Sequence, residues 1–323
     1  MILDLLWMRR GLGALGASLV VSSLAAGCGS GGEAEPDGLG DAPRVGVLLV
    51  SHGSRSPQWR EMLLDVEGRV RERVLATPDV ASVRTAYMEY TEPSIATQLE
   101  AIDRERHTDA LLVPLLLTVS GHSFDDIPVI SGQREDAVTA AHLEAEGIRR
   151  YRSRARVRQA PLLDFPGVLR HNVARRVAAF DVDLRRSGVV LVAYGDEEYD
   201  AEWTRLVEQL GAHLTAELGV MTTAHAWCGH LVHYDRAPTR DAIARVLERA
   251  ERAIVIPLLV AVDERFQHEI VGGAVREARA AAGDDAGARV LYRPDAILPE
   301  PMVDDWVVQI VATTVAEAAE SPR

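Results

Sequence analysis

Two histidines and one glutamate follow, within a few residues, apolar segments of the kind that form buried strands. His52 follows the run 45–51, Glu89 lies in T-A-Y-M-E-Y, and His122 follows the apolar segment 110–118. Two imidazoles and one carboxylate suit a borderline divalent ion such as Co²⁺, Ni²⁺, Fe²⁺ or Zn²⁺, and three protein ligands leave coordination positions open for a substrate. The same side chains could also accept protons. We therefore predict either metal binding or proton transfer at this trio (His52, Glu89 and His122).

The segment V-G-V-L-L-V-S before His52 indicates where the trio lies in the fold. A short run rich in Val and Leu that ends at a Gly turn is typical of a buried parallel strand. In open α/β sheets, ligands bind beyond the carboxyl ends of such strands. A single histidine is more often a hydrogen-bonded structural residue. Three candidate ligands at three successive strand ends favour a functional site.

Strands and helices alternate along the first half of the chain, which predicts a parallel sheet. Pro114 is awkward in a central strand, so a bulge or an edge position is expected there. Residues 120–128 are predicted to form a loop. The predicted strands are 45–51, 83–88, 110–118 and 155–160, and the predicted helices are 56–75, 92–105, 133–146 and 168–179.

The pattern of the first half then repeats at an offset of roughly one domain length. Residues 188–195 resemble the first strand and its Gly turn, and 253–261 resemble the third strand, with Pro257 matching Pro114. We therefore predict an α/β protein of two tandem duplicated βα domains with parallel sheets and a ligand cleft between them. The predicted domains are residues 44–184 and 185–323.

The second half lacks the trio at the matching positions. Tyr194 stands where the first half has His52, Arg265 stands where it has His122, and Glu89 is matched at about Trp227. The comparison predicts that the first half carries the chemistry and that the second half is degenerate and forms one wall of the cleft.

Composition excludes several classes of protein. The chain has 323 residues and a net charge of −13, which argues against a nucleic-acid partner because phosphate binding needs a basic face. Its two cysteines, Cys28 and Cys228, are too few for a disulfide framework or a structural zinc site. No P-loop motif is present, so no nucleotide is implied. The serine of S-H-G-S is not in the G-x-S-x-G elbow of a serine hydrolase.

The N-terminus has the pattern of an export signal. Basic residues precede a short apolar stretch and then L-A-A-G-C, which resembles a bacterial lipobox ending at Cys28. We predict a signal peptide over 1–28, lipidation of Cys28, and a flexible tether over 29–43. The mature chain would be an exported lipoprotein that meets the membrane only through its lipid anchor. The alternatives are a plain secretory signal and a mis-called start codon, which would leave the protein in the cytoplasm.

Three motifs of the first half resemble those of one known family. V-S-H-G-S-R (50–55), Y-M-E-Y-T-E-P-S-I (87–95) and L-L-V-P-L-L-L-T-V-S-G-H-S-F-D-D-I-P (111–128) are similar, in order and spacing, to the CbiX/SirB-type sirohydrochlorin chelatases. These are class II tetrapyrrole chelatases in fold. The resemblance implies that His52 and His122 bind the metal and assist its insertion, with Glu89 as the acidic partner.

The resemblance also implies an activity. The expected reaction is insertion of Co²⁺, or of Fe²⁺ or Ni²⁺, into an anionic sirohydrochlorin-type tetrapyrrole without ATP. The two fused halves would supply the interface that shorter, single-domain members form by pairing. The alternative is an exported, non-catalytic protein that binds a metal or a tetrapyrrole. The residues assigned to substrate binding are Ser51, Ser54, Arg55, Gly121 and Ser123.

Overall fold

The computed structural model describes residues 43–116, 120–163, 165–283 and 288–320. The predicted signal peptide, the tether and the lipidation site Cys28 lie outside these residues, apart from residue 43. In the part of the chain that is described, no helix is both long and apolar enough to cross a membrane.

Two four-stranded sheets, both entirely parallel, form the framework. The first has the strand order β2-β1-β3-β4 and the second the order β6-β5-β7-β8, so the two sheets share one topology. This confirms the predicted α/β class. The strands are β1 (Val45–Ser51), β2 (Val80–Tyr87), β3 (Asp109–Pro114), β4 (Arg156–Gln159), β5 (Ser187–Ala193), β6 (Thr222–Trp227), β7 (Arg252–Leu258) and β8 (Val290–Tyr292).

Helices connect the strands. They are α1 (Pro57–Leu75), α2 (Ile95–Arg104), α3 (Ile127–Ile130), α4 (Ala137–Ala145), α5 (Phe165–Ala178), α6 (Asp200–Leu218), α7 (Ala237–Leu247), α8 (Gly272–Ala282) and α9 (Pro301–Glu320). Two π-helical segments, His122–Asp126 and Glu264–Val271, follow β3 and β7. The prediction of a loop over 120–128 is therefore wrong, because the chain is helical from His122 through α3.

The helix boundaries follow from local chemistry. Ser56 caps α1 by accepting a hydrogen bond from the backbone N–H of Trp59, and Pro57 takes the first helical position, where no N–H donor is needed. Ser94 caps α2 by accepting a hydrogen bond from the N–H of Thr97, so Pro93 precedes the helix, which was predicted to begin at residue 92.

Pro114 is the last residue of β3, which is a central strand, so the expectation of a bulge or an edge position is corrected. Leu115 donates its N–H to Val50 on the β1 side. Successive residues of a strand face opposite neighbours, so position 114 faces the β4 side. There β4 has already ended at Gln159, opposite Leu112. The missing N–H of the proline therefore breaks no ladder hydrogen bond.

The two halves share one hydrophobic core. Leu49 of β1 and Leu191 of β5 belong to the same buried cluster, together with Val307 of α9. Polar contacts fix the same interface: Arg69 of α1 pairs with Asp304 of α9 at 2.6 Å. The carboxyl ends of both sheets are thereby held in a fixed relation, which positions the site described next.

Candidate metal centre

A close approach of two backbone segments brings His52 beside Glu89. The N–H of Glu89 donates to the carbonyl of His52 at 3.0 Å, which extends the β1–β2 pairing past the strand ends. Gly53 has a φ of +104°, and a Cβ there would collide with the carbonyl oxygen of Glu89. Only glycine fits this turn, and the turn sets both functional side chains at the sheet edge.

The predicted trio comes together at this edge. Nε2 of His52 lies 2.9 Å from Oε1 of Glu89, and the rings of His52 and His122 meet edge to face with centroids 4.7 Å apart. One ligand atom from each of the three residues lies within 4.8 Å of the others. Among the described residues, this is the one group of three or more His, Cys, Asp or Glu side chains able to share a metal ion.

His52 has an acceptor on both sides of its ring. Nδ1 donates to the carbonyl of Gly53 at 3.1 Å, and Nε2 faces the Glu89 carboxylate. Burial lowers the pKa of His52, but the hydrogen bond and charge of Glu89 outweigh that effect and raise the pKa above its usual value. A divalent cation at Nε2 would replace this proton and satisfy the same carboxylate.

Asp126 orients the second histidine. Its Oδ2 lies 2.7 Å from Nδ1 of His122, so Nδ1 carries the proton and Nε2 is the nitrogen available to a metal. The two residues are four apart, and the helical path from His122 sets them on one face. Sequence reasoning missed Asp126 because it placed 120–128 in a loop, where a spacing of four has no structural meaning.

A further carboxylate lies near the trio. Burial and the charges of Glu89 and Asp126 raise the pKa of Glu146 against the opposing effects of His142 and His122. Glu146 also lies 3.4 Å from His142, one helical turn earlier at the end of α4. The negative charges of Glu89, Asp126 and Glu146 thus act on the two metal-facing imidazoles, which favours a cation at this edge. No sequence motif pointed to Glu146.

Of the five residues predicted to bind substrate, two are buried serines and three are at least partly exposed. Ser51 and Ser123 are fully buried, with 0% of their surface exposed, and their contact with substrate stays a prediction. Ser54 donates a hydrogen bond to Asp263 of the second half at 2.7 Å. Gly121 has open space around its Cα, and the exposed Arg55 lies over the ring of Tyr90.

Residues 149–158, which follow α4, carry six arginines and lie at the amino end of the first sheet. Five of these arginines pair with the chain's own carboxylates, which supports a structural role over a substrate-binding role. The pairs are Arg149 with Glu100, Arg152 with Glu135, Arg154 with Asp103, and Arg156 and Arg158 with Asp109.

Strand register identifies the counterparts of the trio in the second half. Val50 of β1 is paired with Pro114, and Val192 of β5 with Pro257, so Tyr194 occupies the position of His52. The N–H of Gly229 donates to Tyr194 at 2.9 Å, as that of Glu89 does to His52. The counterpart of Glu89 is therefore Gly229 and not Trp227, because the register places Trp227 opposite Ala193 and matches it to Tyr87.

Part of the chain is similar to known proteins. The CbiX family model matches residues 46–178. Over 90 residues the chain is 32% identical to the sirohydrochlorin cobaltochelatase of Methanocaldococcus jannaschii, covering 28% of this chain and 60% of that protein. Over 87 residues it is 29% identical to the enzyme of the same name from Methanococcoides burtonii, covering 27% of this chain and 63% of that protein. The chain thus spans under two thirds of the length of these relatives.

Solved structures share the fold over most of the described chain. SirB from Bacillus subtilis with Fe³⁺ aligns with a TM-score of 0.61 at 20% identity, covering 85% of this chain and 97% of that one. The sirohydrochlorin chelatase SirB of Bacillus subtilis subspecies spizizenii, in complex with cobalt, aligns with a TM-score of 0.57 at 18% identity, covering 84% and 95%. The arrangement of two linked parallel sheets is therefore the class II chelatase fold.

Proposed function

We propose that this chain, whose residues 46–178 match the CbiX family model, is a metal chelatase, a lyase that inserts a divalent ion into a sirohydrochlorin-type tetrapyrrole. The observation that carries the proposal is the convergence of His52, Glu89 and His122 at one sheet edge. The sirohydrochlorin cobaltochelatases among its relatives support the substrate class and favour Co²⁺ as the metal. Fe²⁺ and Ni²⁺ suit the same ligands.

The trio suits a metal that must be bound and then released. Three protein ligands leave at least one coordination position open in a tetrahedral or larger shell. The pyrrole nitrogens of the macrocycle can enter through that open position and displace the side chains one at a time. Asp126 keeps Nε2 of His122 available by holding the proton on Nδ1.

Proton acceptance follows from the same geometry. Insertion of a divalent ion releases two N–H protons from the macrocycle. When the ion leaves His52, Nε2 is free to accept one proton and to donate it in a hydrogen bond to Glu89, 2.9 Å away. Nε2 of His122 can accept the other. The metal and the protons thus exchange places at the same atoms, and no nucleotide is required.

The test is a chelation assay with residues 43–323. The protein is mixed with sirohydrochlorin and Co²⁺, and the change in absorbance is compared with a control without protein. We expect a rate above the control that His52→Ala and His122→Ala each abolish. His171→Ala is the matched control, because His171 is exposed on α5 and its ring nitrogen Nδ1 lies 3.1 Å from the carbonyl of Gly167 in the same helix.

Two results would contradict the proposal. Full activity in both site variants would remove the trio from the reaction. A rate equal to the control, with stoichiometric Co²⁺ binding retained, would identify the chain as a metal-binding carrier. The assay repeated with Fe²⁺ and Ni²⁺ ranks the metals.

A further inference from the structure

The second half presents aromatic rings at the edge where the first half presents the trio. Tyr194 replaces His52, and its ring lies 5.6 Å from that of Phe266. Tyr234 lies 6.2 Å from Phe266, and its hydroxyl is 3.4 Å from that of Tyr194. We call these three residues, Tyr194, Tyr234 and Phe266, the aromatic wall.

Two arginines accompany aromatic rings at this end of the molecule, one from each half. The guanidinium of Arg265 lies 4.0 Å from the ring centroid of Tyr234, and that of Arg55 lies 5.3 Å from that of Tyr90. Both side chains are exposed. Within the described ranges, neither makes an ion pair with a carboxylate of the chain, whereas the neighbouring Arg236 pairs with Glu277.

A hydrogen bond links the chain segment of the trio to that of the aromatic wall. Ser54, two residues after His52, donates to Asp263, two residues before Arg265, at 2.7 Å. Tyr90, the neighbour of Glu89, lies beside the trio, because its ring centroid is 5.9 Å from that of His52.

The chemistry of the two sides is complementary to one kind of molecule. Aromatic side chains stack against flat conjugated rings at centroid distances of 4.5–7 Å. A guanidinium held on an aromatic face keeps its N–H donors available to a carboxylate, which it can bind through two parallel hydrogen bonds. A planar macrocycle with peripheral carboxylates presents both features. Its metal-accepting centre would then face the trio.

We propose that Arg265 and Arg55 bind peripheral carboxylates of the tetrapyrrole while Tyr234 and the rest of the aromatic wall stack against the macrocycle. This inference rests on the proposed function, because it takes its substrate class from there. It assigns a binding role to the half of the chain that lacks the metal ligands. Arg265 and Tyr234 would contact the substrate directly, so they are substrate-binding residues outside the trio.

The experiment measures binding of metal-free sirohydrochlorin to the full chain by fluorescence. Arg265→Gln is expected to raise the Kd about tenfold, the equivalent of losing one charge-assisted contact of ~1.4 kcal/mol. Tyr234→Leu is expected to raise the Kd, and Tyr234→Phe to keep it near the starting value. Arg186→Gln is the charge-matched control, because Arg186 precedes β5 at the opposite end of the strands and pairs with Glu251.

Co²⁺ binding, followed in the same variants without the macrocycle, separates the two proposals. Unchanged Co²⁺ affinity with weaker sirohydrochlorin binding in Arg265→Gln supports the inference. If Arg265→Gln and Arg186→Gln bind sirohydrochlorin equally well, the inference is overturned even if the chain chelates. If the Arg265 effect is present but no chelation occurs, the inference stands and the proposed function fails.

Discussion

Asp126 provides the sharpest test of how the chain prepares its metal site. Asp126→Asn keeps the size of the side chain but removes the charge that holds the proton on Nδ1 of His122 across 2.7 Å. Carboxylates in this position typically contribute 10–100-fold to metal affinity. We therefore expect the Kd for Co²⁺ to rise by that factor, about 1.4–2.7 kcal/mol. A direct ligand such as His122 should show a larger loss when replaced by Ala.

The measurement is a calorimetric titration of the metal-free protein with Co²⁺, with the visible absorption of the bound ion as a second readout. Asp125→Asn is the matched control. Asp125 is the adjacent carboxylate, so its replacement changes the local charge equally. Its own partner is Arg134, at 2.6 Å, and not a histidine. We expect this control to alter the Kd by less than threefold, the size of a surface electrostatic effect.

If Asp126→Asn and Asp125→Asn weakened Co²⁺ binding equally, this reasoning would be refuted. It would mean that Asp126 acts only through the general negative charge of the sheet edge. An unchanged absorption spectrum in Asp126→Asn, together with a weaker Kd, would also contradict a role in orienting the imidazole. Loss of the orienting hydrogen bond should change the ligand geometry at the ion.

Three further predictions concern acid, folding and the N-terminus. The pKa of His52 should lie above its usual value of 6.5 in the metal-free protein, and Glu89→Gln should lower it, as measured by an NMR titration. The affinity for Co²⁺ should fall as the pH drops below this pKa, because a proton then occupies Nε2. Asp103 is buried, and hydrogen bonds from Ser153 and neighbouring groups lower its pKa to about 2 from 3.8. Its stabilisation is therefore present above pH 4 and lost as the pH falls towards 2, and Asp103→Asn should cost about 2 kcal/mol in urea unfolding at pH 7 but little at pH 2. Cys28→Ala should release the protein from the membrane fraction, whereas an unchanged distribution would refute the lipid anchor.

The sequence was sufficient to predict the elements whose signals are local. The first strand was predicted at 45–51 and runs from Val45 to Ser51, because its apolar run and Gly turn are unambiguous. The grouping of His52, Glu89 and His122 followed from one rule, that parallel strands present their carboxyl ends at the same edge. Their geometry agrees with the prediction, and metal binding by them stays a proposal.

The parts that could not be predicted depend on register and on helix type. Whether Gly229 or Trp227 matches Glu89 depends on which backbone groups pair beyond the strand ends, and no residue pattern encodes that. The pairing of Asp126 with His122 could not be predicted, because it depends on the helical conformation that begins at His122. Glu146 approaches the trio from a helix that is far from it in sequence.

The backbone of the second half also explains why it lacks a carboxylate at the position that matches Glu89. A Cβ at Gly229 would lie 2.6 Å from the carbonyl oxygen of Tyr194, so no carboxylate side chain fits there without displacing the main chain. The second half therefore cannot regain the trio by substitution at that position alone. A macrocycle bound between the trio and the aromatic wall would meet metal ligands on one face and aromatic rings on the other. The ion would then be delivered from one side only, and the protons released would return to the imidazoles that it had just left.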